Sequence, residues 1–368
     1  MKKIFLTTIA LLSMASANVF GMYGVDTDWI NFLTHGNQFR ARLDQLGFTL
    51  GNDMIKGTFG FDNNTDYSGI YRALLNNHTN DIYNLVPSIS MGIGYTSSLI
   101  SVGVGYNATI GGSYKPKQDS KDAKKAAHTP VLVLNALDNA FRMAIPIQVY
   151  VNDTENGGNK TNVTAVSFDS QFRYYTGLDM LPQVRLYLRY GNVSTKTTTK
   201  TLNYESFGFD FRLYFGATVE EVALQPFVKL VYNTALGYTG YTRVEAVKHM
   251  QGSLTNTTKY TATPKWDLTL MPALGLTANS DIVSLYLEPS IGLSVNQKGS
   301  ATDKKNKETY DLAYAVYAEI YITPLKNLEW YFEASIGNVA GGTSGNVSLT
   351  KGVAFAGTTG ITWYLPAL

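Results

Sequence analysis

The chain has 368 residues, a formal net charge of +2, no cysteine, and only 16% charged residues against 25 Tyr, 17 Phe and 33 Gly. The lack of cysteine excludes disulfides, thiolate metal sites, a cysteine nucleophile and a lipid-anchored N-terminus. Low charge with many aromatics excludes a disordered chain, and the near-neutral balance gives no basis for nucleic-acid binding.

At the start, Lys2 and Lys3 form a basic region, residues 4–12 a short apolar core, and Ala15-Ser16-Ala17 a small-x-small cleavage site. This predicts a secretory signal peptide over 1–17, with cleavage after Gly21 as the alternative. The apolar run is far shorter than the about 20 residues of a membrane anchor. No later stretch approaches a spanning helix, so a membrane-crossing structure has to be a closed β-barrel. In the next segment, 22–46, Trp29, Phe32, Leu33, Leu43 and Leu46 recur at helical spacing, with Asp26 or Thr27 as N-cap. Such a helix would lie in the periplasm as a tether or enter the lumen as a plug. Gly36-Asn37 interrupts the pattern, and the alternative is a strand over 39–50 that turns at Gly51-Asn52-Asp53.

From residue 47 onward the chain reads as strands. The hairpins expected are 85–97 with 98–110, 131–137 with 141–151, and 162–176 with 182–193. Then follow 201–215 with 222–235, 260–277 with 281–296, and 310–322 with 327–338. One strand over 47–61 precedes them and one over 352–365 follows. Longer polar stretches separate the hairpins at 62–84, 111–130, 152–161, 194–200, 236–259, 297–309 and 339–351. This short-long alternation is the pattern of outer-membrane barrels. The count is about 14 strands, or 16 if an outer loop hides further strands, with the barrel over 47–368.

Within strands the alternation is strong. Ile89, Met91, Ile93 and Tyr95 oppose Ser88, Ser90, Gly92 and Gly94, while Phe207, Phe209, Phe211 and Leu213 oppose Gly208, Asp210 and Arg212. A sandwich would bury the apolar face; a membrane barrel turns it to lipid. Three features favour the barrel. The runs exceed the usual length of about 5–6 residues, the gaps alternate in length, and aromatics stand near strand ends as interfacial girdles do. The girdle candidates are Tyr95, Trp266, Trp330, Tyr331, Trp363 and Tyr364. The last run alternates over its whole length, and its spacing of Thr358, Gly360, Trp363 and Leu365 resembles the C-terminal β-signal of bacterial outer-membrane barrels.

If the apolar face meets lipid, the other face lines the lumen. The basic candidates are Arg142, Arg173, Arg185, Arg189, Arg212 and Lys229, accompanied by Gln148, Asp169 and Asp210. The later candidates are all acidic: Asp267, Glu288, Glu319, Glu329 and Glu333. Two wall sectors of opposite sign would set up a transverse field across a water-filled pore. The blander reading is that these charges pair with neighbours, Arg173 with Asp169 and Arg212 with Asp210, and only solvate the interior.

Signals for catalysis are poor. His35, His78, His128 and His249 show no metal-ligand spacing and fall outside clear strand cores. Gly103 and Gly105 lie within a strand, where small residues suit a crowded lumen or a bulge rather than a phosphate loop. The Lys-rich stretch of Lys115, Lys117, Lys121, Lys124 and Lys125 reads as a solvated outer loop, or less readily as a surface for anionic glycans. Residues 67–77 read as a short helix over the mouth.

The segment 22–48, from Met22-Tyr23-Gly24-Val25-Asp26-Thr27-Asp28-Trp29 to Gln45-Leu46-Gly47-Phe48, resembles the opening of the variable surface proteins of Brachyspira spirochaetes. The run Ile55-Lys56-Gly57-Thr58-Phe59-Gly60-Phe61 fits the same start. The resemblance implies an abundant outer-membrane surface protein with antigenically variable loops. It carries no catalytic or ligand motif, so no functional residue is transferred.

The reading is an all-β chain forming a transmembrane antiparallel β-barrel in the cell outer membrane, non-enzymatic and without a cofactor. It would pass small hydrophilic solutes passively; the alternative is a non-conducting surface-coat antigen or adhesin. The partners expected are outer-membrane lipid, the barrel-assembly machinery through the C-terminal strand, and host surfaces or antibodies at outer loops. A homo-oligomer is compatible with this reading, and nucleic acid is not a partner.

Overall fold

The computed structural model describes residues 29–42, 45–63, 83–85, 87–114, 121–156, 159–219, 222–236, 240–241, 259–260, 266–298, 307–338, 347–350 and 353–365. The expected signal peptide, the expected helix over 67–77, His78, His249, Lys115 and Lys117 lie outside these residues.

Among the described residues the strands close into one antiparallel barrel of 16 strands. In chain order they are β1 Gln38–Ala41, β2 Gln45–Gly51, β3 Ile55–Asn63, β4 Pro87–Tyr95, β5 Ile100–Tyr114 and β6 Lys121–Ala136. Next come β7 Phe141–Asn156, β8 Asn159–Tyr175, β9 Gln183–Thr197, β10 Thr201–Tyr214 and β11 Val222–Ala235. The last five are β12 Trp266–Asn279, β13 Val283–Lys298, β14 Lys307–Leu325, β15 Leu328–Gly337 and β16 Val353–Leu365. Each pairs with its sequence neighbour, and β1 pairs with both β2 and β16, through Phe39↔Leu365, Arg40↔Tyr364 and Ala41↔Trp363. This four-residue strand closes the circle and leaves no free sheet edge at that level.

The expected count of 14 strands is too low, and both missing strands lie at the N-terminus rather than in an outer loop. The stretch read as one strand over 47–61 is a hairpin, β2 and β3, turning where Asn52 Oδ1 accepts hydrogen bonds from the backbone N–H groups of Met54 and Ile55. β1 supplies the sixteenth strand, so the barrel begins at Gln38 rather than at 47. The helix expected within 22–46 is, among the described residues, a 3-10 helix of six residues, Trp29–Thr34, which ends before Gly36-Asn37. Beyond them the alternation Phe39-Arg40-Ala41 has period two, and pairing on both edges stabilises it as strand. β6 also starts earlier than expected. The backbone of Lys121, Lys124 and Lys125, read as loop, pairs with β7 at Glu155, Asp153 and Asn152.

The direction of the two faces decides the fold class. Met91 and Ile93 on β4 are 50% and 59% exposed, whereas their neighbours Ser88 and Ser90 are 0% and 1% exposed. The apolar face is therefore outside and the small polar face inside, the reverse of a soluble sandwich. Tyr95, Trp330 and Trp363 stand exposed outside, at the barrel end that carries the short turns. Tyr331 and Tyr364, also read as girdle residues, point inward, because adjacent residues of a strand face opposite sides.

One short turn has an unusual backbone: Leu137, Asp138 and Asn139 all have positive φ, at 55°, 54° and 63°. Asp and Asn tolerate this left-handed region; Leu adopts it at a cost.

Candidate lumen and its charged rows

The 3-10 helix lies inside the barrel, near the short-turn end. Trp29, Ile30, Phe32 and Leu33 are buried against Val131 and Val133 of β6 and Ala144 of β7. Trp29 and Phe32 meet edge to face, with ring centroids 5.8 Å apart. The floor beneath them is glycine. A Cβ on Gly92 would come 2.7 Å from Trp29 Cζ3, and one on Gly105 2.5 Å from the same atom. Leu33 and Phe32 press in the same way on Gly94 and Gly103. The crowding at Gly103 and Gly105 is thus the helix itself. So short a 3-10 helix is not stable alone; burial of its four apolar side chains, worth on the order of 2 kcal/mol each, holds it in place.

Register brings the basic residues together. Arg142 of β7 is directly opposite Arg173 of β8, which is opposite Arg185 of β9. Arg185 in turn is opposite Arg212 of β10, and Arg212 is opposite Lys229 of β11. Five cations on five successive strands therefore form one row around the inner wall. Directly opposed like charges destabilise a sheet, and the surroundings of the row moderate that repulsion. Asp210 is 2% exposed and accepts two hydrogen bonds from Arg212, at 2.9 and 2.7 Å. Arg189 lies 3.8 Å from Asp210 and 3.6 Å from Asp169. Tyrosine rings lie beneath the guanidinium groups: Tyr175 under Arg142 at 4.8 Å, Tyr214 under Arg185 at 4.5 Å and Tyr187 under Arg212 at 4.9 Å. Arg185 Nε also donates to Gln183 Oε1 at 2.9 Å.

The helix reaches the first two members of this row. Asn31 Oδ1 accepts from Arg142 at 3.0 Å and from Arg173 at 3.4 Å, and Thr34 Oγ1 accepts from Arg142 at 3.1 Å. Lys56 Nζ of β3 donates to the carbonyl of His35, tying down the helix end.

Eight residues further along each strand runs a second row, which is apolar. Tyr150, Ala165, Val193 and Tyr204 stand above Arg142, Arg173, Arg185 and Arg212, with Ala127 of β6 continuing the row. At a rise of about 3.3 Å per residue the two rows are about 26 Å apart along the strands. Gln148, between them, accepts from Ser167 Oγ at 2.9 Å.

The acidic residues occupy the next strands, and tyrosines serve them. Asp267 accepts from Asn233 at 2.7 Å, Glu288 from Tyr286 at 2.5 Å, and Glu319 from Tyr317 at 2.5 Å and Tyr321 at 3.2 Å. Glu333 lies opposite Glu319 and accepts from Tyr321 at 3.4 Å; Glu329 accepts from Tyr364 at 3.1 Å. The basic strands β7–β11 and the acidic strands β12–β15 are contiguous sectors, meeting between Lys229 and Asp267. Arg40 of β1 and Arg42 just after it, absent from the sequence-based set, adjoin the acidic sector. Arg40 is 1% exposed, and Arg42 donates to Thr362 at 2.8 Å and lies 4.3 Å above the Tyr331 ring. Period-two spacing with Phe39 and Ala41 was their signal, visible in the alternative strand over 39–50 and hidden in the helical reading.

His128 is on the outer face, hydrogen-bonded to Tyr106 OH at 2.6 Å. Among the described residues no group of three or more His, Asp or Glu side chains could hold a metal ion.

A closed antiparallel barrel with lipid-compatible side chains outside and charged rows inside defines a membrane-embedded β-barrel protein. The chain belongs to a family: the model described as Serpulina hyodysenteriae variable surface protein matches residues 2–264 and 246–364. The resemblance carried by the segment 22–48 thus extends over nearly the whole chain. No curated protein matches it. Among solved structures it is similar to CdiB from Acinetobacter baumannii, at TM-score 0.44 and 8% identity, covering 89% of this chain and 59% of that one. The FrpB iron transporter from Neisseria meningitidis (F3-3 variant) gives TM-score 0.43 and 8% identity, with 84% and 63% covered. The copper transporter OprC gives 0.38 and 10%, with 83% and 60% covered. The chain spans about three fifths of the length of each.

Proposed function

We propose that this protein is an outer-membrane diffusion pore for small hydrophilic solutes, with its short turns in the periplasm and its long connections forming the variable, antigenic outer surface. The observation that carries the reading is the charged inner wall. Six cations and five later carboxylates project from the inner face of β7 to β15, and a dry or purely structural core has no use for so many ions. A wall of this kind solvates a water channel, and adjoining sectors of opposite sign give it a transverse field. In this reading β16 presents the assembly signal, and no catalytic reaction is assigned.

The second reading is a non-conducting surface-coat antigen or adhesin. The observation favouring it is the Trp29–Thr34 helix, which narrows the interior near the short-turn end. Planar-bilayer conductance of the refolded mature chain separates the two, with a variant lacking the last strand as assembly control. Stepwise channels from the folded barrel support the pore. A folded, heat-modifiable barrel without conductance leaves the coat protein.

A further inference from the structure

We propose that the row Arg142, Arg173, Arg185, Arg212 and Lys229 is a binding track for small oxyanions, inorganic phosphate or carboxylate-bearing solutes, and that Asn31 of the inner helix occupies its first two positions as a neutral stand-in. The proposal deepens the pore reading, since it rests on a water-filled interior.

Three observations carry it. The first is register. Direct opposition on successive strands brings side chains to a Cβ spacing of about 4.5–5.5 Å, so neighbouring cationic heads can share one ligand. A wall that only needed solvation would alternate signs, because opposed unlike charges stabilise a sheet and opposed like charges do the reverse. Here five cations follow one another without interruption.

The second is the setting of Arg185 and Lys229. Asp210 is shared between Arg212 and Arg189, and Asp169 lies against Arg189. Among the described residues Arg185 donates to the neutral Gln183 amide and lies over the Tyr214 ring with no carboxylate at ion-pair distance, and Lys229 has no carboxylate within 4 Å, Asp210 and Glu288 acting on it only from further away. In the acidic sector, by contrast, tyrosine hydroxyls already serve Glu288, Glu319, Glu329 and Glu333. Stacking on tyrosine fixes the plane of a guanidinium and leaves its edge donors for an in-plane acceptor. That geometry suits the forked oxygens of carboxylate and phosphate better than a spherical halide.

The third is Asn31. A single amide oxygen accepts hydrogen bonds from both Arg142 and Arg173, the bridging arrangement an oxyanion oxygen would adopt. An uncharged acceptor holds the helix in place without cancelling the positive charge of the row. A carboxylate at the same position would cancel part of it.

The test uses the full mature chain folded in detergent and in planar bilayers, with inorganic phosphate as probe. The first variant is Arg185→Gln with Lys229→Gln, which leaves the Arg212–Asp210 pair intact. The second is Asn31→Asp. Heat-modifiability verifies folding of both. Phosphate binding, read by titration calorimetry, is expected to weaken about tenfold or more in the double variant, the loss that follows from removing charge-assisted hydrogen bonds. A smaller loss is expected in Asn31→Asp. In bilayers the reversal potential in a phosphate gradient moves toward cation selectivity in both. Wild-type binding and selectivity retained by folded variants would overturn the track and leave the pore standing. A folded barrel that binds phosphate without conducting would support the track and remove the pore. A folded wild-type chain that does not bind phosphate overturns the track whether or not it conducts.

Discussion

Arg185 of β9 and Arg212 of β10 sit directly opposite each other, yet only Arg212 has a carboxylate, Asp210, two residues away on its own strand. The two guanidinium groups are held apart by different devices: Arg212 is clamped at both ends by Asp210 above the Tyr187 ring, and Arg185 rests on Tyr214. Asp210 is therefore the hinge of the local electrostatics.

Asp210→Asn removes the buried half of that pair, strips Arg212 of its carboxylate and leaves Arg189 with Asp169 alone. The barrel is expected to lose about 3 kcal/mol of stability, the usual effect of breaking one side of a buried pair, measured by urea unfolding in detergent. Adding Arg212→Gln should recover part of the loss, because the stranded charge goes with it. A single variant as stable as wild type would show that the pair is solvated.

Replacing Arg185, Arg189 and Arg212 together with Gln should shift ion selectivity toward cations, since the basic sector then keeps only Arg142, Arg173 and Lys229 beside the acidic strands. Reversal potentials in a salt gradient measure this. Unchanged selectivity in a conducting protein would contradict a water-exposed basic wall.

Gly105→Val should expel the inner helix without unmaking β5, because a side chain at that position takes the space of the Trp29 ring. We expect greater accessibility of Trp29 to acrylamide quenching and a larger single-channel conductance. Equal conductance with an expelled ring would mean that the helix does not constrict the path.

Met91→Lys tests the membrane face. Met91 is half exposed on the outside of β4, and a charge placed there against lipid should cost about 2–4 kcal/mol near the bilayer midplane, falling toward the interfaces. The readout is refolding efficiency and urea midpoint in lipid vesicles. A neutral effect would mean that this face meets water.

Removal of residues through Ala41 should abolish heat-modifiable closure although β1 is the only barrel strand lost with the inner helix, because β1 is the sole described bridge between β2 and β16. Retention of closure would require β2 and β16 to pair directly.

Much of this was legible in the residues. Period-two alternation at Ser88–Tyr95 and Phe207–Phe215 announced strands with one apolar face, and the short gaps between 137 and 141 and between 277 and 281 announced hairpins. In the N-terminal segment the alternative of a strand over 39–50 turning at Gly51-Asn52-Asp53 came nearer the structure than the helix over the same stretch, for a physical reason. Trp29, Phe32 and Leu33 do carry helical spacing, and a window that ran on to Leu43 and Leu46 absorbed a strand too short to show its own period. The tyrosines that serve the acidic wall, Tyr286, Tyr317 and Tyr321, were visible two residues from their carboxylates, but an aromatic stripe reads equally as a girdle until its face is known.

Sequence alone determined the class of structure: a cysteine-free chain of alternating strands whose apolar face has no partner but lipid or another sheet. The outward direction of that face, the closure through Phe39–Ala41, and the alignment of Arg142, Arg173, Arg185, Arg212 and Lys229 into one row were decided only in three dimensions. Register between strands depends on turn lengths and on the pairing of every strand around the circle, and no single strand encodes which of its residues will stand opposite a given residue of its neighbour.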